Sequence, residues 1–271
     1  MSMSTERESV HTQMIPAYGQ RIRVEYQRGQ GTPLVLCNGI GTALEVLDPF
    51  VDALPADKPV LRFDVPGVGG SPTSLLPYGI PYLALVLGRV LNELGIDRVD
   101  ILGLSWGGAL AQQFAFQNPR RCRRLVLVST ATGVLMVPAR PHVLMKMVSP
   151  RRFQDPEYAA DIAAEIYGGA VRKDPDLVAS LFRRPSSMGS RLGYAHQLAA
   201  GAVWTSLHAL WAIRQPTLIV AGLDDPIIPV INARVMNRLL PRSKLYLHSG
   251  GHIDIVANAA ELAPVIADFT R

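Results

Sequence analysis

The stretch VDILGLSWGGALAQQFA, residues 99–115, constrains this chain more than any other. A strand-forming apolar run leads into Gly103-Leu104-Ser105-Trp106-Gly107-Gly108, and a helix-forming run follows with no linker between them. A strand that becomes a helix within two or three residues is half of a βα unit, the crossover from which parallel sheets are built. One glycine is enough for such a turn. Three glycines around a single serine imply that other atoms come close to that serine.

The same rhythm recurs along the chain. Candidate strands are Ile22–Tyr26, Pro33–Cys37, Val60–Phe63, Val99–Leu102, Leu125–Ser129, Thr217–Ala221 and Lys244–His248. Candidate helices are Tyr82–Leu94, Trp106–Gln117, Ile231–Leu240 and Ala259–Phe269. The alternation predicts an α/β fold with a mainly parallel sheet flanked by helices, although it leaves the strand order open. Between Leu125–Ser129 and Thr217–Ala221 the rhythm is interrupted for more than eighty residues, too long for a bare loop. Residues 131–215 therefore read as an inserted helical cap, with helices over Glu157–Tyr167, Pro175–Phe182 and Leu192–Leu210. Residues 1–130 and 216–271 form the core around it.

The 271 residues are 48% hydrophobic and 18% charged, which suits a globular chain. The polar, mixed-charge run from Met1 to Ala17 lacks the apolar segment of a secretory signal, and no run is long enough to span a membrane. Cys37 and Cys122 make neither a disulfide framework nor a metal spacing, so both read as buried thiols in a reducing, cytoplasmic setting. Of the net charge of +5, the cap holds most, with ten Lys/Arg against six Asp/Glu. Those cations are scattered and accompany no reading motif, which argues against a nucleic-acid partner. The oligomeric state is not legible.

Gly103-Leu104-Ser105-Trp106-Gly107 between strand and helix fits a nucleophile elbow, a tight turn that lifts a serine hydroxyl above the strand ends. A serine hydroxyl needs a base, and the base needs an orienting acid. LIVAGLDDPIIP supplies the acid after Thr217–Ala221, with Asp225 favoured by its spacing and Asp224 left to cap the turn. LYLHSGGHIDI supplies the histidine as His252, in a Gly-Gly turn after the last strand, whereas His248 ends the strand and reads as structural. Serine, acid and histidine then follow the order of a hydrolase triad. The amides of Trp106 and of Ile40, in the CNGIG turn after an early strand, are the candidate oxyanion donors. Asn38 sits in that same turn as a candidate substrate contact. The cap entry GVLMVPARPHVLMKMVSPRR offers Leu135, Met136, Met145 and Met147, either as cap core or as an apolar substrate lip with basic edges. FDVPGVGGSPT is Gly-rich but lacks the lysine of a phosphate loop, and reads as a tight structural turn.

These pieces resemble the α/β-hydrolase superfamily over nearly the whole chain. More closely they resemble the intracellular depolymerases of medium-chain-length polyhydroxyalkanoates, bacterial storage polyesters. CNGIG, FDVPGVGGS, SWGGALAQQFA, VSPRR, IYGG, VWTSLHAL, QPTLIVAG and DDPIIP carry the likeness. The resemblance implies a serine hydrolase that cuts ester bonds at the surface of cytoplasmic polyester granules and releases 3-hydroxyalkanoic acids or oligomers. It implies a peripheral association with the granule, Ser105, Asp225 and His252 as the triad, and no metal or organic cofactor. Leu223 and Asp254 depart from the pattern, the first where an acidic residue is expected and the second where an apolar one is. Competing readings with the same triad are a soluble carboxylesterase or thioesterase and a cofactor-free perhydrolase. The non-enzyme reading is a granule- or signal-binding protein that retains the fold.

Overall fold

Four central strands, buried except at Arg123 and Arg124 of one of them, divide their apolar side chains between two cores. In β3 (Leu34–Cys37), Val35 and Cys37 enter one core while Leu34 and Leu36 enter the other. β5 (Val99–Leu104), β6 (Cys122–Val128) and β7 (Thr217–Gly222) do the same, with Ile101, Leu125, Leu127 and Ile219 on one face and Leu102, Val126, Val128 and Leu218 on the other. A continuous apolar run with an alternating destination is what a parallel sheet covered on both faces requires.

The computed structural model describes residues 10–149, 151, 155–174 and 190–271. With β1 (Val10–Ala17), β2 (Gln20–Gln27), β4 (Val60–Phe63) and β8 (Ser243–His248), the sheet has eight strands in the order β1-β2-β4-β3-β5-β6-β7-β8. β1 pairs antiparallel with β2 and β2 antiparallel with β4; every other pairing is parallel. Helices α2 (Ile80–Glu93) and α3 (Trp106–Gln117) supply Leu83, Leu87, Leu91, Leu110 and Phe114 to one core. Helix α1 (Asp48–Ala53) supplies Phe50 to the other, facing Leu262 and Ile266 from the C-terminal helix Ala259–Phe269. The chain winds outward in opposite directions from β3 and β5, so the crevice beyond their carboxyl ends is the point where such sheets hold ligands.

Strand β1 falls within the polar, mixed-charge run from Met1 to Ala17, where no strand was expected. It forms an edge strand with only Ile15 and Ala17 buried, and an edge tolerates Pro16, which lacks a donor. Between β6 and β7 lie α4 (Pro141–Val148), α5 (Pro156–Tyr167), α6 (Gly169–Lys173) and α7 (Arg191–Ala202). The helix expected over Pro175–Phe182 lies outside the described residues. The one expected over Leu192–Leu210 ends at Ala202, because Val134 and Gly133 capture the next turn. Val134 N–H donates to the Trp204 carbonyl, and Gly133 bridges Thr205 in an antiparallel contact. The last helices are α8 (Ile231–Leu239), α9 (Asp254–Ala257) and α10 (Ala259–Phe269). Among the described residues no helix is long and apolar enough to cross a membrane.

Candidate active site

Ser105 stands between β5 and α3 with φ 52° and ψ −118°, a conformation that costs a residue with a side chain about 1–3 kcal/mol. Its surroundings hold it there. The Ser105 N–H donates to the Val128 carbonyl at 2.9 Å, and its own carbonyl accepts from Gly108 N at 2.9 Å and from Thr130 Oγ1 at 2.6 Å. The three glycines answer to specific neighbours. A Cβ on Gly107 would stand 2.1 Å from the Cys37 carbonyl oxygen, one on Gly108 2.2 Å from Thr130 Oγ1, and one on Gly103 2.5 Å from the Gly107 carbonyl oxygen. The start of α3 is thus wedged between the loops after β3 and β6, and the serine is lifted clear at its tip.

His252 lies in the loop after β8, where its N–H donates to the Tyr167 carbonyl at 2.7 Å. Its Nε2 is 3.0 Å from Ser105 Oγ, and its Nδ1 is 2.9 and 3.1 Å from the two carboxylate oxygens of Asp225. Asp225 Oδ1 also accepts from the Ile227 and Ile228 amides, each at 2.9 Å, which stops the carboxylate turning away from the imidazole. Both side chains are buried. An ionised carboxylate can only accept, so the ring proton belongs on Nδ1 and Nε2 is left to accept from the serine hydroxyl.

The neighbouring acids face elsewhere. Asp224 is half exposed and makes a two-pronged pair with Arg172, 3.0 Å on each prong, while accepting from Gly169 N at 2.8 Å. Burial pushes its carboxyl up, but Arg172 and the Gly169 amide outweigh that and hold it below the usual carboxylate range. Asp254 is buried and binds the histidine loop to the segment between α5 and α6. It accepts from Gly251 N at 2.8 Å and, at the start of α6, from Ala170 N at 3.3 Å. Gly169 and Gly251 make this contact feasible, since a Cβ on Gly169 would lie 2.0 Å from Gly251 N. His248 accepts from Gly250 N at 3.1 Å, and burial holds its imidazole below the ordinary histidine value against the pull of Asp254, Glu261 and Asp225. Burial also pushes the Cys37 and Cys122 thiols up, so neither is a ready nucleophile.

Above Ser105 lies a cavity of about 470 Å³ that Ile40 and Trp106 also line. Its walls are mostly apolar. Of the anticipated cap residues, Met136 and Met147 line it, together with Leu144 between them in sequence. Leu135 and Met145 instead point outward, 61% and 67% exposed. Asn38 faces its own turn, where Nδ2 donates to the Ala43 carbonyl at 2.6 Å. Sequence reasoning had no signal for Tyr194, Gln197 and Leu198 on α7, or for Trp204, Ile227 and Ile228, all of which complete the wall. Of the remaining histidines, His142 pairs with Glu165 at the surface and His196 packs edge-on against Tyr78.

Residues 32–259 match the family model of the alpha/beta hydrolase fold. The chain is 47% identical over 254 residues to the poly(3-hydroxyalkanoate) depolymerase of Ectopseudomonas oleovorans, covering 93% of this chain and 89% of that protein. It is 30% identical over 237 residues to the 2-hydroxy-6-oxo-2,4-heptadienoate hydrolase of Pseudomonas putida, covering 81% of each. Among solved structures, an enol-lactonase from Burkholderia xenovorans superposes with a TM-score of 0.81 at 23% identity, covering 95% of this chain and 99% of that one. A hydrolase from Pseudomonas aeruginosa gives 0.80 at 24%, covering 96% and 98%. At such identities these structures speak to the fold alone.

Proposed function

The chain belongs to the alpha/beta hydrolase family, in the branch of the poly(3-hydroxyalkanoate) depolymerases, and from this premise we propose that it cleaves medium-chain aliphatic polyester by way of Ser105. It is an ester hydrolase. The observation that carries the assignment of roles is the hydrogen-bonded row Asp225–His252–Ser105 at the floor of a mostly apolar cavity.

His252 Nε2 takes the Ser105 proton as Oγ attacks the ester carbonyl. Asp225 fixes the imidazole tautomer and stabilises the imidazolium without taking a proton itself. The Ile40 and Trp106 amides receive the developing oxyanion, and each such donor lowers the barrier by about 3 kcal/mol. His252 then returns its proton to the departing chain hydroxyl. In the second half it activates a water that releases the hydroxyacyl group and restores Ser105.

We read residues 131–215 as a cap whose helices roof the acyl cavity. Met136, Leu144 and Met147 contact the side chain of the acyl unit. Outward-facing Leu135 and Met145 form the rim that meets a polyester granule in the cytoplasm. Asn38 supports the oxyanion turn through its bond to Ala43 rather than touching substrate.

Wild type and Ser105→Ala are compared on emulsified medium-chain polyester and on a soluble octanoate ester. Release of 3-hydroxyacids by wild type alone is the expected result. Turnover of the soluble ester only moves the protein to the carboxylesterases, and turnover of neither favours a binding role.

A further inference from the structure

Helix α7 is hydrogen-bonded to the nucleophile's neighbourhood through Gln197. Gln197 is fully buried, 156 residues along the chain from the turn it touches, and its Oε1 accepts from the Gly41 amide at 2.8 Å. The amide of a glutamine can only accept through its oxygen, so this contact also fixes which way the side chain points. The Gln197 backbone carbonyl accepts from the Trp106 indole Nε1 at 3.0 Å. Gly201, one turn further along α7, leaves room for that indole, since a Cβ there would come within 3.3 Å of Nε1. A single cap residue is therefore bonded to both regions that carry the oxyanion donors.

Each bond bears on one donor. Gly41 has φ 72°, and holding its N–H orients the peptide plane shared with Ile40, which only the φ and ψ of Ile40 separate from the plane of the Ile40 amide. Among the described residues, the other hydrogen bonds of Asn38–Thr42 are local, from Asn38 to Ala43 and from Thr42 Oγ1 to the Gly39 carbonyl. Gln197 is the tie that anchors it to another part of the fold. On the other side, the indole bond fixes the side chain of Trp106, the first residue of α3, whose amide is the other donor.

We propose that Gln197 is a positioning residue that aligns the Ile40 and Trp106 amides from the inserted segment, so that the oxyanion site is complete only while α7 is seated. The proposal rests on Ser105 being the nucleophile and on those two amides being the donors. It predicts a loss confined to the transition state, because the cavity that binds the acyl chain keeps its shape while the donors lose alignment.

The test is Gln197→Met, which keeps length and apolar bulk and removes the acceptor. On a soluble octanoate ester kcat should fall roughly 10- to 100-fold, somewhat less than deletion of a whole donor, with KM within about threefold. Two inhibitors separate alignment from architecture. Octaneboronic acid forms a tetrahedral anion on the serine and reads the oxyanion donors, whereas 1-octanol only fills the cavity. The boronate should weaken in step with kcat while octanol is unchanged. Should Gln197→Met fail to fold, Trp106→Phe removes the indole donor together with part of the cavity wall, and should weaken boronate more than octanol, by a smaller factor. Unchanged boronate affinity, or an equal fall for both inhibitors, overturns the proposal. A wild type inactive on both the octanoate ester and the emulsified polyester removes the hydrolase reading and this inference with it. An active wild type with an indifferent Gln197→Met removes the inference alone.

Discussion

His248 and His252 are four residues apart and face opposite demands. His252 uses both ring nitrogens, one on Asp225 and one on Ser105. His248 spends Nδ1 on the Gly250 amide and buries the rest of its ring, and that burial keeps it neutral in the folded state. Below about pH 6.5, the ordinary histidine value, an unfolded chain takes up a proton at this position that the folded chain resists. The unfolded state then binds more protons, so stability rises with pH through this window and is lost as pH falls below it. His248→Asn should flatten the dependence of the urea midpoint between about pH 7.5 and 5 relative to wild type. Parallel curves for the two proteins would show that this imidazole does not titrate on unfolding. The paired acids teach the same lesson. Asp224 and Asp225 look equivalent on paper, but Asp225 is buried with two amides and an imidazole, whereas Asp224 sits half exposed against Arg172.

At the scale of elements, a glycine can be dictated by a neighbour's backbone rather than by its own torsions. Gly107 lies within α3, yet the Cys37 carbonyl stands where its Cβ would be. Gly107→Ala must push β3 and α3 apart, an overpacking cost of about 3 kcal/mol that corresponds to a thermal midpoint lower by roughly 10 °C. Gly79→Ala is the control, because its Cβ would meet only Pro81 Cδ at an ordinary 3.5 Å and its φ is −105°. Equal midpoints for the two variants would mean that the crossing of β3 and α3 is looser than the structure has it. The elbow was legible because its three glycines lie together in sequence, and seven of the eight strands because each is a short apolar run between turns. β1 was not, since an edge strand with two buried residues carries no alternation to read. Nor was the strand order, which depends on which faces the crossover helices take. Gln197 was invisible for a related reason: a buried amide on a helix of ordinary composition gains meaning only from the Gly41 turn it reaches.

On the scale of the whole molecule, two differently built halves meet over Ser105. The carboxyl end of the sheet contributes the polar groups Ser105, Asp225 and His252, with the Ile40 turn beside them, on four loops. The segment between β6 and β7 contributes Met136, Leu144, Met147, Tyr194, Leu198 and Trp204, a nearly apolar roof. On the proposed function such a division would separate chemistry from selectivity, with the reacting groups meeting the ester and the roof the length of the acyl chain. Each methylene buried in that roof is worth about 0.8 kcal/mol, which is roughly fourfold in kcat/KM. Across soluble esters from butanoate to octanoate, kcat/KM of the wild type should therefore climb by about that factor per carbon while the cavity fills. Leu198→Trp should stop the climb at a shorter acid and leave the butanoate ester close to wild type, since the added ring occupies the space that only longer chains use. A flat profile in the wild type, or one that Leu198→Trp lowers uniformly, would mean that the acyl chain lies outside this cavity. The outward residues Leu135 and Met145 would then be the binding surface itself rather than its rim.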